Sequence, residues 1–74
     1  MVELKPLPQG SSQIKRIGYD KKSEKLVVEF HRGGIYEYLN VRPEVYAGLK
    51  GAASPGGYLA LHVKGHYPYR KIHG

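Results

Sequence analysis

The stretch Lys25-Leu26-Val27-Val28-Glu29-Phe30-His31-Arg32-Gly33-Gly34-Ile35-Tyr36-Glu37-Tyr38-Leu39 decides the fold. Leu26, Val28 and Phe30 alternate with Val27, Glu29 and His31, the period of two that sends successive side chains to opposite faces of a strand. One row is wholly apolar and the other mixed, so one face suits a core and the other suits water. Glycine reaches positive φ without steric cost, and Arg32-Gly33-Gly34 therefore reads as the tight turn of a hairpin. Residues 35–39 form the return strand, with Tyr36 and Tyr38 on the same face.

Upstream, residues 13–19 read as a further strand with Ile17 and Tyr19 on one face, and Asp20-Lys21-Lys22-Ser23 is the polar turn that follows it. Ile14 is out of phase and predicts a bulge or an irregular start. Downstream, Pro43 suits a first helical turn, Glu44 complements its positive end, and Val45, Tyr46 and Leu49 fall at helical spacing before Gly51. Ser54-Pro55 signals a second helix, with Tyr58, Leu59, His62 and Val63 recurring at three and four and Gly65 as its stop. The expected fold is α+β: a three-stranded antiparallel β-meander with two short C-terminal α-helices packed on one face. Residues 1–10 are expected to be a flexible N-terminal segment. Residues 11–74 form a single domain ending in an extended C-terminal arm, 66–74, that lies over the sheet or is free to meet a partner.

At 74 residues the chain holds one domain with a thin core. It has no cysteine, which excludes disulfides and thiolate metal sites. The opening MVELKPLPQG lacks a secretory pattern, and no stretch approaches the roughly 18 apolar residues of a membrane span, so a soluble cytoplasmic protein without a membrane partner is expected. Twelve Lys and Arg against six Asp and Glu give a net charge of +6. All six acids precede residue 45, whereas Lys50, Lys64, Arg70 and Lys71 follow it. That cationic C-terminal third favours a polyanion, of which nucleic acid is the commonest inside cells, although surplus lysines also serve solubility.

The order of several short pieces resembles the KTSC domain, a family found at the C-terminus of some lysyl-tRNA synthetases and as free-standing small bacterial proteins. The pieces are Ser11-Ser12-x-Ile14, Ile17-Gly18-Tyr19-Asp20, Leu26-x-Val28-x-Phe30, Gly34-x-Tyr36-x-Tyr38, Val45-Tyr46-x-x-Leu49, Ser54-x-x-Gly57-Tyr58, Val63-Lys64 and Tyr67-Pro68. They cover nearly the whole chain. The resemblance implies a small binding domain, and the synthetase context points to RNA by association. One departure is Leu59-Ala60 after the helix tyrosine, where the family pattern has Phe-Asn; any contact made through that amide is absent here.

Seven tyrosines against one phenylalanine and no tryptophan place aromatic rings at a boundary, because a buried ring rarely needs a hydroxyl. Tyr36 and Tyr38 offer faces on which bases stack, with Lys15, Arg16 or Arg32 on phosphates. The plainer account, that both rings pack under the two helices, carries more weight for so small a sheet. In the tail, Lys64, His66, Arg70 and Lys71 interleave with Tyr67 and Tyr69, as in segments that follow a phosphodiester backbone. Gly51-Ala52-Ala53-Ser54-Pro55-Gly56-Gly57-Tyr58 has the glycines of a phosphate cradle but not the Lys-Ser/Thr of a nucleotide-hydrolysing loop, and an inter-helix turn explains it better. His62 and His66 share metal-ligand spacing, but Gly65 ends the helix between them and no acid follows Glu44, so no metal or cofactor is expected. Nor does any serine or tyrosine have a visible base partner, so no catalytic residue is assigned.

The favoured function is that of a small non-catalytic binding domain with low specificity for nucleic acid, RNA or single-stranded DNA. Lys50, Lys64, Arg70 and Lys71 would take phosphate, and Tyr36, Tyr38, Tyr67 and Tyr69 would stack. The alternative is a protein–protein interaction module or homodimer without a nucleic-acid role.

Overall fold

The hairpin forms as its alternation dictates. In the computed structural model, which describes residues 2–73, strand β2 (Lys25–Phe30) pairs antiparallel with β3 (Ile35–Tyr38), placing Val28 opposite Tyr36 and Leu26 opposite Tyr38. Gly33 and Gly34 take φ of 97° and 93°, a region that side chains disfavour, and close the turn through the Gly33 N–H to the Phe30 carbonyl at 3.0 Å. Strand β1 (Ile14–Asp20) pairs with β2, with Ile17 opposite Val28 and Tyr19 opposite Leu26. The register shifts between Ile14 and Arg16. This is the expected irregularity, and it brings Ile14 into the core, where it is 1% exposed.

The sheet has four strands, in the order β1-β2-β3-β4, and not the expected three. Residues Tyr69–His73 of the expected arm form β4, antiparallel to β3, with Tyr69 opposite Tyr38, Arg70 opposite Glu37 and Lys71 opposite Tyr36. The Leu39 N–H donates to the Pro68 carbonyl at 2.8 Å, extending the pairing by one step. Alternation could not reveal this strand, because all five of its residues are exposed and an outer strand need not bury an apolar row. Pro68 sits just before it, where a missing N–H costs no ladder bond. Gly74, the end of the arm, lies outside the described residues.

The segment 1–10, expected to be flexible, is tied down at two points. Lys5 and Ile17 exchange two backbone hydrogen bonds of 2.9 Å beside β1, and Leu7 enters the core at 6% exposure. Met1 lies outside the described residues.

Helix α1 (Pro43–Gly51) carries the expected proline and Glu44 in its first turn. Helix α2 (Pro55–Tyr58) starts on Ser54, whose hydroxyl accepts from the Gly57 N–H at 3.4 Å. It widens into a π turn (Leu59–Val63) closed by the Lys64 N–H to the Leu59 carbonyl at 2.9 Å. Leu49, Leu59 and Val63 from these helices meet Ile17, Leu26, Val28 and Tyr38 from the sheet, so both helices cover one face. Gly48 permits their close approach: a Cβ there would collide with the Tyr58 ring. Among the described residues no helix is long and apolar enough to cross a membrane.

Candidate nucleic-acid interface

The helices do not cover the whole inner face of the sheet. Between β2–β4 and the π turn lies an open groove of about 830 Å³. Its sheet side is Phe30, Tyr36, Tyr38 and Tyr69; Leu59, Ala60 and Lys64 form the opposite wall. Ser12 and Gln13, just before β1, and Arg32 and Gly33 of the hairpin turn also line it.

Strand geometry assembles the aromatic side. Tyr36 and Tyr38 are two residues apart and so share a face, and register places Tyr69 opposite Tyr38. Ring centroids lie 5.9 Å apart for Tyr36 and Tyr69, and 5.7 Å apart for Tyr38 and Tyr69. Phe30 meets Tyr36 edge-on at 5.6 Å. Exposure separates their roles: Tyr69 is 60% exposed and Tyr36 half-buried, whereas Tyr38 is 3% exposed and forms the floor. Burial pushes the Tyr38 phenol above its ordinary pKa, and the neighbouring Tyr69 and Tyr36 phenols add to the effect.

Cations border these rings. The Lys64 ammonium stands 5.3 Å from the Phe30 ring centroid and the Lys71 ammonium 5.9 Å from that of Tyr36, both within cation–π range. Among the described residues no aspartate or glutamate lines the groove. Among the described residues no carboxylate pairs with Arg32, Lys64 or Lys71; the carboxylate partners go to Lys5, Arg16, Lys25, Arg42 and Arg70.

The opposite face of the sheet is electrostatically different. Arg16 Nε donates to Glu29 Oε1 at 2.5 Å, and this bond, together with the positive charge, holds the Glu29 carboxyl below its ordinary range. Glu37 accepts from Arg70 Nε at 2.9 Å and has Lys25 Nζ at 3.9 Å. On that face Glu29 pairs with Arg16, and Glu37 with Arg70 and Lys25.

The structure therefore divides the expected site. Lys64, Tyr36, Tyr38 and Tyr69 meet in the groove, and Lys71 lies over its Tyr36 edge. Arg70 is on the other face, committed to Glu37. Lys50 stands on α1, 4.9 Å from the Tyr46 ring centroid, and Tyr67 is half-buried against the core. Of the three strand and turn cations expected to meet phosphate, Arg32 is at the groove, Arg16 is paired to Glu29, and Lys15 is exposed on β1 outside the groove lining. Phe30, Ser12 and Gln13 were not anticipated as lining residues, since only the folded β1–β2 pairing brings them beside the π turn. Ala60 lines the groove, so this chain presents a methyl at the position where the resemblance leads one to expect an asparagine amide. His62 packs on Tyr58 with centroids 4.5 Å apart, and among the described residues no cluster of three His, Cys, Asp or Glu side chains could hold a metal ion.

The four-stranded antiparallel sheet, two helices on one face and an open groove between them define a small α+β domain. The chain belongs to the KTSC domain family, whose model matches residues 10–67. A crystal structure of a KTSC domain protein from Yersinia pestis superposes with a TM-score of 0.91 at 32% identity, covering 97% of this chain and 99% of that one. An uncharacterized protein of Stutzerimonas stutzeri is 37% identical over 70 residues, 93% of this chain and 99% of its own. A lysine–tRNA ligase of Nostoc punctiforme is 35% identical over 65 residues, which is 88% of this chain but only 11% of the ligase. The family match indicates no catalytic family.

Proposed function

We propose that this KTSC domain is a cytoplasmic, non-catalytic module that binds single-stranded nucleic acid in the groove, with RNA as the favoured polymer. One observation carries the reading: accessible tyrosine faces are bordered by cations that, among the described residues, have no carboxylate partner, in a groove with no acidic residue among its described lining. Base–aromatic stacking contributes about 1–3 kcal/mol per base and tolerates any sequence, while the cations meet phosphates through counterion release. A duplex hides its base faces within the stack, so the tyrosines engage only unpaired bases. Support for RNA is associative and comes from the similarity to part of a lysine–tRNA ligase.

The test is titration of labelled single-stranded RNA, single-stranded DNA and duplex DNA at two salt concentrations, beside an inert protein of the same size and charge. Binding above that control with a single-strand preference supports the proposal. Binding equal to the control overturns it. A second reading, a homodimer or protein partner, is favoured by the free outer edge of β4 with Ile72 45% exposed. It predicts concentration-dependent mass in solution that changes little with salt.

A further inference from the structure

We infer that the groove selects adenine, with the side-chain amide of Gln13 reading the edge of the base. This inference rests on the proposed binding of single strands in the same groove. Gln13 immediately precedes β1 and its main chain is held twice: its N–H donates to Ser11 Oγ at 3.1 Å, and its carbonyl accepts from the His31 N–H at 3.0 Å. The side chain then lies against Gly56. A Cβ at position 56 would occupy the site of Gln13 Oε1, so only glycine lets the amide rest there. Gln13 and Gly56 both line the groove, and among the described residues the Gln13 amide makes no hydrogen bond. The result is a solvent-exposed donor–acceptor pair, fixed at its main chain and seated against Gly56, in a groove that also holds stacking faces at Tyr36 and Tyr69.

A primary amide offers an N–H donor beside a carbonyl acceptor and pairs best with a base edge that shows the reverse. Adenine shows an amino donor next to a ring-nitrogen acceptor on both its Watson–Crick and its Hoogsteen edge. Guanine shows two acceptors on its Hoogsteen edge and offers the amide a match only through N1–H and O6 on its Watson–Crick edge, and a pyrimidine has only one comparable edge and a smaller ring to stack. Adenine thus satisfies Gln13 in either orientation while covering most of a tyrosine face. Arg32, and Lys64 with Lys71, are placed for the flanking phosphates, which points to a base within a strand as the source.

The experiment compares oligoadenylate, oligouridylate, oligocytidylate and free adenosine monophosphate on the native protein and on Gln13→Leu. That variant keeps bulk against Gly56 but removes both hydrogen-bonding groups; circular dichroism and a thermal melt confirm its fold. Oligoadenylate should bind the native protein about tenfold more tightly than oligouridylate, and Gln13→Leu should erase that preference while changing oligouridylate affinity less than about twofold. Equal binding of the three oligomers, or an equal loss for all of them in the variant, overturns the inference and leaves single-strand binding standing. Absence of binding to every strand overturns the proposed function itself. Adenosine monophosphate binding as tightly as oligoadenylate, and sensitive to Gln13→Leu, supports adenine reading and overturns the strand as its source.

Discussion

Removing the two cations that line the groove should flatten the salt dependence of single-strand binding. Arg32, Lys64 and Lys71 are the cations in or beside the groove that, among the described residues, have no carboxylate partner. Each phosphate neutralised on a single strand contributes about −0.7 to the slope of log K against log salt, so the native slope should be about −2. The double variant Arg32→Ala, Lys64→Ala retains Lys71 and should show about −0.7. Raising salt threefold would then weaken native binding about ninefold and the variant only about twofold. Fluorescence anisotropy with a labelled single-stranded RNA over a salt series measures both slopes. Arg70→Ala and Lys50→Ala are the controls: Arg70 is held by Glu37 on the opposite face, and Lys50 stands against Tyr46 on α1. If either control flattens the slope as much as the double variant does, charge acts diffusely and the groove is not the site.

Tyr69→Ala should cost about 1–3 kcal/mol of single-strand affinity and leave the thermal midpoint nearly unchanged, because the ring is 60% exposed; titration and a melt read the two effects separately. Leu7→Ala should destabilise the domain by about 2–3 kcal/mol in urea unfolding, since Leu7 belongs to the core despite lying in the N-terminal segment. A midpoint equal to the native one would mean that this segment is detached in solution. The pH dependence has a defined sign. Glu29 has a folded pKa lowered by its hydrogen bond to Arg16, so its contribution is present above the ordinary carboxylate range and is lost as pH falls through the lowered value. Glu29→Gln should accordingly make the urea midpoint less sensitive to acid between about pH 5 and pH 3.

Local pattern carried much of the fold. The alternation of Leu26, Val28 and Phe30, the Gly33-Gly34 turn, the proline at the start of α1 and the Ser54 cap each express a short-range preference, and each element stands where that preference puts it. The misphased Ile14 even marked the β1 bulge. What escaped was pairing without pattern. β4 buries none of its residues, and the contact of Lys5 with Ile17 involves one residue between prolines and hydrophobes, too short to show a period. The candidate site was legible to the same extent: Tyr36 and Tyr38 share a face by counting, and Lys64 by its place beside them in a basic, aromatic segment.

Sequence alone determined the surplus of positive charge and tyrosine, the β2–β3 hairpin and the starts of the two helices, because these follow from residue type and from interactions spanning a few positions. Only the tertiary structure decided which charges are free. Arg70 and Lys71 are neighbours in the chain, yet an outer strand turns them to opposite faces, one onto Glu37 and the other over Tyr36. That separation depends on the register of β4 against β3, set by hydrogen bonds between segments some thirty residues apart. The groove itself has the same origin, since it is the space left where two short helices fail to cover a four-stranded sheet.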